Sequence, residues 1–116
     1  PMTDARFLQV FVTVPSAEVG DQIASRVVEE RLAACVQRMG PIRSVYRWQG
    51  NIESSEEWLL VLKTDCDSWP ALRERIVALH SYEVPEILAL PVVEGHPPYL
   101  RWVAESLRRD KASPET

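Results

Sequence analysis

The residues best suited to chemistry lie together at residues 80–86, which read His-Ser-Tyr-Glu-Val-Pro-Glu and are called the connector below. An imidazole, a phenol and two carboxylates therefore share one short stretch. Pro85 fixes its own φ and favours extended backbone at Val84, so these groups are held stiffly. A neutral imidazole is a common metal ligand, but a histidine at a helix end is also favoured by the helix dipole. His80 is thus predicted either to bind a metal ion or to cap a helix.

The carboxylates Glu83 and Glu86 flank Pro85, so at most one of them is expected to face a cleft, and we predict Glu86. Aromatic side chains recur at Tyr46 and Trp48, next to an obvious turn at residues 49–51. Such aromatics could line a ligand site, but on a long hairpin they more often form an oligomer interface. The predicted ligand cleft is lined by four residues: Tyr82, Glu86, Tyr46 and Trp48.

The two cysteines, Cys35 and Cys66, are too few for a disulfide framework, which is typical of a reducing compartment. Thiolates select Cu(I) and zinc, so Cys35 is a candidate ligand, although a cysteine in an apolar strand is more often simply packed. Cys66 has no neighbouring His or Lys and is interpreted as incidental. The predicted metal ligands are His80 and Cys35, and the expected ion is copper or another divalent metal.

Composition excludes several classes of protein. The chain has 116 residues, with 13 Lys plus Arg against 17 Asp plus Glu, and no basic run that would favour nucleic acid. No apolar run reaches the roughly 18 residues of a membrane span, and the start has no secretion signal, so we expect a cytoplasmic protein. No metalloprotease, nucleophile-elbow or dinucleotide motif occurs, which indicates no enzyme and no organic cofactor.

Hydrophobic periodicity predicts one α+β domain over residues 1–116, with residues 1–5 and 109–116 flexible. The predicted elements are a buried strand at 7–14, a helix at 16–32, strands at 35–48 and 52–64 with a bulge at 39–41, a second helix that ends at residue 80, a strand at 87–93 and a closing helix at 99–107. This βαββαβ order is the split-βαβ, ferredoxin-like sandwich with an additional C-terminal helix, for which the expected strand order is 4-1-3-2.

The hairpin formed by the second and third strands is too long for one protomer. A twelve-residue strand spans roughly 40 Å, whereas a domain of this size has a radius of gyration of about 13 Å. The hairpin is therefore expected to project and to support an oligomer. In this topology the hairpin tip and His80 lie at one end of the sheet and Cys35 at the other, so a metal site that used both would join two protomers.

Several motifs make the chain resemble the CutA divalent-cation-tolerance family. They are Phe11-Val12-Thr13 before Pro15, residues 32–36 (Leu-Ala-Ala-Cys-Val), residues 44–52 (Ser-Val-Tyr-Arg-Trp-Gln-Gly-Asn-Ile), Lys63-Thr64, the connector, and Tyr99-Leu100-Arg101-Trp102. The resemblance covers nearly the whole chain and implies a ferredoxin-like homotrimer. Two departures are Ser81, where many members have proline, and Val12, where some carry a second cysteine that would favour a thiolate-rich copper site.

The expected function is that of a non-catalytic homotrimer that binds copper or another divalent metal ion and contributes to the response to metal ions. An alternative is a trimeric signalling module similar to PII-type regulators, which would bind a small anionic ligand in clefts between subunits. Basic groups at the clefts would favour that alternative. An enzyme that uses His80 or Glu86 as a general base is the third hypothesis.

Overall fold

The computed structural model describes residues 6–108. The predicted flexible segments, 1–5 and 109–116, lie outside the described residues. Within residues 6–108, no helix combines the length and apolar character needed to cross a membrane. The elements in chain order are β1 (Phe7–Val14), α1 (Ala17–Glu29), β2 (Cys35–Trp48), β3 (Asn51–Asp65), α2 (Trp69–Leu79), β4 (Ile87–Pro91) and α3 (Pro97–Ser106).

The four strands form one antiparallel sheet in the order β2-β3-β1-β4. This confirms the predicted α+β class, the ferredoxin-like topology and the strand order. β1 is central because its β-branched and aromatic run can be buried between two neighbours. α1 begins at Ser16, whose hydroxyl accepts the Val19 N–H at 3.2 Å. α2 begins beside Asp65, whose carboxylate accepts the Ser68 N–H at 2.9 Å.

The main hydrophobic core lies between one sheet face and the helices α1 and α2. Alternate residues of β1 and β3 point into it, because side chains of a strand alternate between the two faces. The fully buried members are Val10, Val12, Val14, Ile23, Val27, Leu60, Leu62, Leu72 and Ile76. The helical members recur at a spacing of four residues, Ile23 with Val27 and Leu72 with Ile76, which forms an apolar stripe on each helix.

The opposite sheet face, called the open face below, is only partly covered. Register places Phe11 opposite both Val61 and Leu88, and Met39 opposite Leu59, so these apolar residues share one surface. α3 packs over the end of this face near Phe7. Met39 and Leu88 remain 50% and 55% exposed. A half-covered apolar sheet is typical of a surface that contacts a partner.

A bulge separates the inner and outer parts of β2. Between Met39 and Ile42 the chain takes three steps while β3 takes two, from Leu59 to Glu57, so β2 carries one extra residue. Gly40 at this point has φ of 152°, and a Cβ there would lie 2.7 Å from the Trp58 ring. The bulge predicted at residues 39–41 is therefore confirmed.

The hairpin projects as the sequence predicts. Its turn is made by Gln49 and Gly50, which both have positive φ, as a two-residue hairpin turn requires. β1 ends opposite Trp58, so among residues 6–108 no strand pairs with the outer part of β3 on that side. The molecule measures 51 × 32 × 23 Å, with a radius of gyration of 15.4 Å against about 13 Å for a compact domain of this length.

Three element boundaries differ by two residues or more from those predicted. α3 begins at Pro97 instead of residue 99, with Pro97 and Pro98 in its first turn. α1 ends at Glu29 instead of residue 32, because the Val27 carbonyl accepts both the Leu32 and Ala33 N–H groups while Arg31 takes a positive φ of 62°. The last strand, β4, ends at Pro91 instead of residue 93.

We predict that Gly40→Ala lowers the free energy of unfolding by about 2 kcal/mol, because the new Cβ meets the Trp58 ring and the backbone is strained. The matched control is Gly50→Ala, which has positive φ but open space around it, and should cost only about 1 kcal/mol. Urea unfolding at one fixed protein concentration measures both. Equal losses for the two variants would show that the contact with Trp58 does not constrain the bulge.

Candidate functional site

The connector begins where α2 ends, and its first residue is fixed by three hydrogen bonds. The His80 backbone N–H donates to the Ile76 carbonyl at 2.9 Å, which closes the helix. Nε2 of the ring donates to the Thr13 carbonyl at 2.8 Å, and Nδ1 accepts the Tyr82 N–H at 3.0 Å. A carbonyl can only accept and a peptide N–H can only donate, so the ring is the neutral Nε2–H tautomer. His80 is 8% exposed.

Tyr82 links the connector to the hairpin by contacts with His80 and with Glu57 of β3. Its ring lies 4.7 Å from the His80 ring, and its hydroxyl donates to Oε2 of Glu57 on β3 at 2.7 Å. The other carboxylate oxygen of Glu57 accepts from the Ser44 hydroxyl of β2 at 2.6 Å. Glu57 is only 8% exposed. We call the set Ser44, Glu57, Tyr82, His80 and the Thr13 carbonyl the connector clamp.

The clamp depends on the bulge in β2. Beyond it, Ile42 lies opposite Glu57, so Ser44, two residues further along β2, points to the same face as the carboxylate. Without the extra residue, the outer part of β2 would present its other side chains to Glu57. The bulge in β2 thus puts the Ser44 hydroxyl within hydrogen-bond distance of the buried Glu57 carboxylate.

Tyr46 continues the same face of the hairpin and forms the neighbouring wall. Its hydroxyl lies 3.3 Å from that of Ser55. Tyr46 is also the smallest of the causes that raise the pKa of Tyr82, because two ionised phenols would repel each other. Trp48 is 60% exposed near the tip, four residues beyond Ser44 and about 13 Å further out. Glu86 is exposed, directly before β4. Of the four residues predicted to line the cleft, Tyr82 and Tyr46 lie near enough for Tyr46 to contribute to the raised pKa of Tyr82.

Burial and the Glu57 carboxylate raise the pKa of Tyr82 to about 12. The main cause is loss of water around the phenol, followed by its hydrogen bond to Glu57 and repulsion by that negative charge. Tyr82 is consequently a hydrogen-bond donor at neutral pH.

Cys35 lies at the opposite end of the sheet. It is half-buried, with its Sγ 3.8 Å from the Tyr99 hydroxyl, and burial together with this contact raises the pKa of Tyr99. Register aligns Cys35 with Lys63 and Gln9, whereas His80 bonds to Thr13, four residues and about 13 Å further along β1. One protomer therefore does not bring Cys35 and His80 together.

A divalent ion does not fit a ready-made site in one protomer. Among residues 6–108, no three or more His, Cys, Asp and Glu side chains form a group that could hold a metal ion. Both nitrogens of His80 are hydrogen-bonded, and both oxygens of Glu57 accept a hydroxyl. Ligation by His80 would require one of its two ring hydrogen bonds to open.

Comparison with known proteins gives a consistent result. A family model described as "CutA1 divalent ion tolerance protein" matches residues 8–106. The "Divalent-cation tolerance protein CutA" of Thermus thermophilus is 52% identical over 97 residues, which are 84% of this chain and 94% of that protein. "Protein CutA" of Homo sapiens is 47% identical over 82% of this chain, but the match spans only 53% of the human protein. The chain thus spans about half the length of some relatives.

Solved structures that are similar to this chain come from the same family as the similar sequences. The Thermus thermophilus divalent cation tolerance protein superposes with a TM-score of 0.86 at 49% identity, covering 88% of this chain and 99% of that one. CutA1 from Oryza sativa gives a TM-score of 0.88 at 41% identity, covering 90% and 96% of the two chains. A protein titled as periplasmic CutA from Archaeoglobus fulgidus gives 0.85 at 35% identity, covering 88% and 99%.

We predict that one phenol titrates near pH 12 and that Tyr82→Phe abolishes this step in the ultraviolet absorbance of tyrosinate. Because the pKa of Tyr82 is raised in the folded state, its contribution to stability is complete below about pH 10 and is lost as the pH rises through about 12. Glu57→Gln removes the negative charge and should move the step toward 10. Glu56→Gln, an exposed neighbour on β3, is the control and should leave it in place. A step unaffected by Glu57→Gln would contradict the clamp.

Proposed function

The chain belongs to the CutA1 divalent ion tolerance family, and from this membership we propose that it is a non-catalytic homotrimer that binds copper or another divalent metal ion in clefts between subunits. In this way it would contribute to the response to metal ions. The Thermus and Archaeoglobus relatives are both named divalent-cation tolerance proteins, which supports the link to metals. The observation that carries the assembly is the projecting hairpin beside an incompletely covered apolar sheet face.

The trimer is supported by exposed apolar surface that a lone protomer would leave in water. On the hairpin, Val45, Trp48 and Ile52 are more than half exposed, and the open face adds Met39 and Leu88. β2 is a long edge strand, and closed symmetry is one way to keep such an edge from pairing without limit. A cleft formed by neighbouring hairpins would lie beside the connector clamp.

The metal site is proposed to join protomers, because one protomer does not bring His80 and Cys35 together. These two residues remain the predicted ligands, one from each side of a subunit boundary. Neutral imidazole and thiolate are suited to Cu(I), Cu(II) or Zn(II). Binding through His80 would exchange the hydrogen bond at Nδ1 or at Nε2 for the metal.

A non-catalytic role is supported by how the polar groups are used. The Glu57 carboxylate accepts hydrogen bonds from two hydroxyls, and the raised pKa of Tyr82 keeps this phenol protonated at neutral pH, so neither resembles a poised general base.

The cytoplasm remains our proposed compartment, although relatives include one named chloroplastic and one titled periplasmic.

We predict that the protein sediments as a trimer at micromolar concentration and that the double variant Tyr46→Glu, Trp48→Glu shifts it to monomer. Two carboxylates buried at an apolar interface would cost more than the interface gains. Val77→Glu, on the outer surface of α2, is the matched control and should remain trimeric. A wild-type monomer, or a trimer that survives the double variant, would refute this assembly.

We predict that calorimetric titration of metal-free protein with Cu(I), Cu(II) and Zn(II) reveals binding that His80→Ala and Cys35→Ser each weaken by about tenfold or more. Because the ligands are proposed to come from different protomers, refolding the two variants together should restore part of the binding. Tight binding that is unchanged in both variants would place the ion elsewhere.

A further inference from the structure

Two motifs singled out in the sequence take no part in the proposed metal site, yet they meet at one cavity. Lys63-Thr64 at the end of β3 and Tyr99-Leu100 at the start of α3 line a cavity of about 170 Å³ between α3 and the sheet. We call it the α3 cavity. Its apolar walls include Phe7 and Val103. A cavity of about 150 Å³ in another protein holds a benzene molecule, so the α3 cavity has room for a ligand of that size.

Lys63 gives this cavity a positive charge. The side chain is half-buried, and its ammonium donates to the Gln37 amide oxygen at 3.0 Å. Within residues 6–108, Lys63 takes part in no salt bridge. An ammonium beside apolar walls gains from a carboxylate partner, since a hydrogen bond between two charged groups is stronger than one to a neutral amide.

We propose that the α3 cavity is a ligand site for a small carboxylate with an apolar body, with the carboxylate on Lys63 and the body against Phe7, Leu100 and Val103. Charge complementarity sets the sign of the ligand and the cavity volume sets its size. Glu94 also lines the cavity and is exposed. An added ammonium on the ligand, as in an amino acid, would find its partner there.

The α3 cavity is separate from the connector. Lys63 lies opposite Gln9 on β1, four residues from the Thr13 carbonyl that holds His80, or about 13 Å. Its walls come from a single protomer, unlike the clefts proposed between subunits. Cys35, the other proposed metal ligand, lies opposite Lys63, and its Sγ is 3.8 Å from the hydroxyl of Tyr99 in the cavity wall. The two proposals are therefore distinguished by His80→Ala, which should weaken metal binding and leave ligand binding in the α3 cavity unchanged.

The test titrates the 116-residue chain with benzoate and with phenylalanine, and binding is followed by NMR. Benzoate should bind and give intermolecular NOEs to the methyl groups of Leu100 and Val103. Benzylamine, which has the same ring but no carboxylate for Lys63, should bind more weakly than benzoate. Lys63→Gln should weaken benzoate binding by about tenfold or more, since it removes a charge-assisted hydrogen bond. Arg101→Gln, which removes an exposed charge from α3, is the matched control and should have no effect.

The outcome decides between two sources of the carboxylate. If phenylalanine binds more tightly than benzoate and Glu94→Gln removes the difference, the site selects an amino acid, and equal binding indicates a simple acid. Either result supports the proposal if it depends on Lys63. Absence of NOEs to Leu100 and Val103 in the wild-type protein would overturn the proposal, as would binding that Lys63→Gln leaves unchanged. The NOE measurement stands even if the variant fails to fold.

Discussion

A carboxylate buried on a strand is the constraint on which the candidate site depends. The Glu57 carboxylate is removed from water, and burying it without hydrogen bonds would cost free energy. Ser44 and Tyr82 supply them from two other parts of the chain, β2 and the connector. With its side chain held in this way, Tyr82 donates its backbone N–H to Nδ1 of His80. One buried acid thereby ties the base of the hairpin to the loop that carries the imidazole.

The same geometry links the site to assembly. The bulge at Gly40 gives the outer hairpin the register that puts Ser44 and Tyr46 on the face of the clamp, and the projecting end of that hairpin exposes Trp48. Side chains that would contact a neighbouring subunit thus continue directly from those that hold the connector. The opposite end of the sheet is closed by α3, which lies beside Cys35 and bounds a cavity of its own.

Much of the fold could be predicted from local pattern. The β-branched run at residues 7–14, the turn at Gln49-Gly50 and the apolar stripe around Leu72 each act through neighbours in sequence, and their order limits the topology. The clamp could not be predicted in this way. Glu53, Glu56 and Glu57 lie in one polar stretch, and Glu57 is the one that the connector covers through Tyr82. The bulge in β2 decides that Ser44 faces this carboxylate, and no local pattern reveals that phase. The resemblance to a family pointed to His80 but not to the two hydrogen bonds that occupy its ring.

The tautomer of His80 tests the connector clamp most directly. In metal-free protein at neutral pH, the two ring nitrogens can be distinguished by their ¹⁵N chemical shifts and by their couplings to the ring protons. The clamp predicts a neutral ring with the proton on Nε2 and an unprotonated, hydrogen-bonded Nδ1. A ring that carries its proton on Nδ1, or that exchanges between both tautomers as free imidazole does, would contradict the clamp and leave His80 free to act in another way.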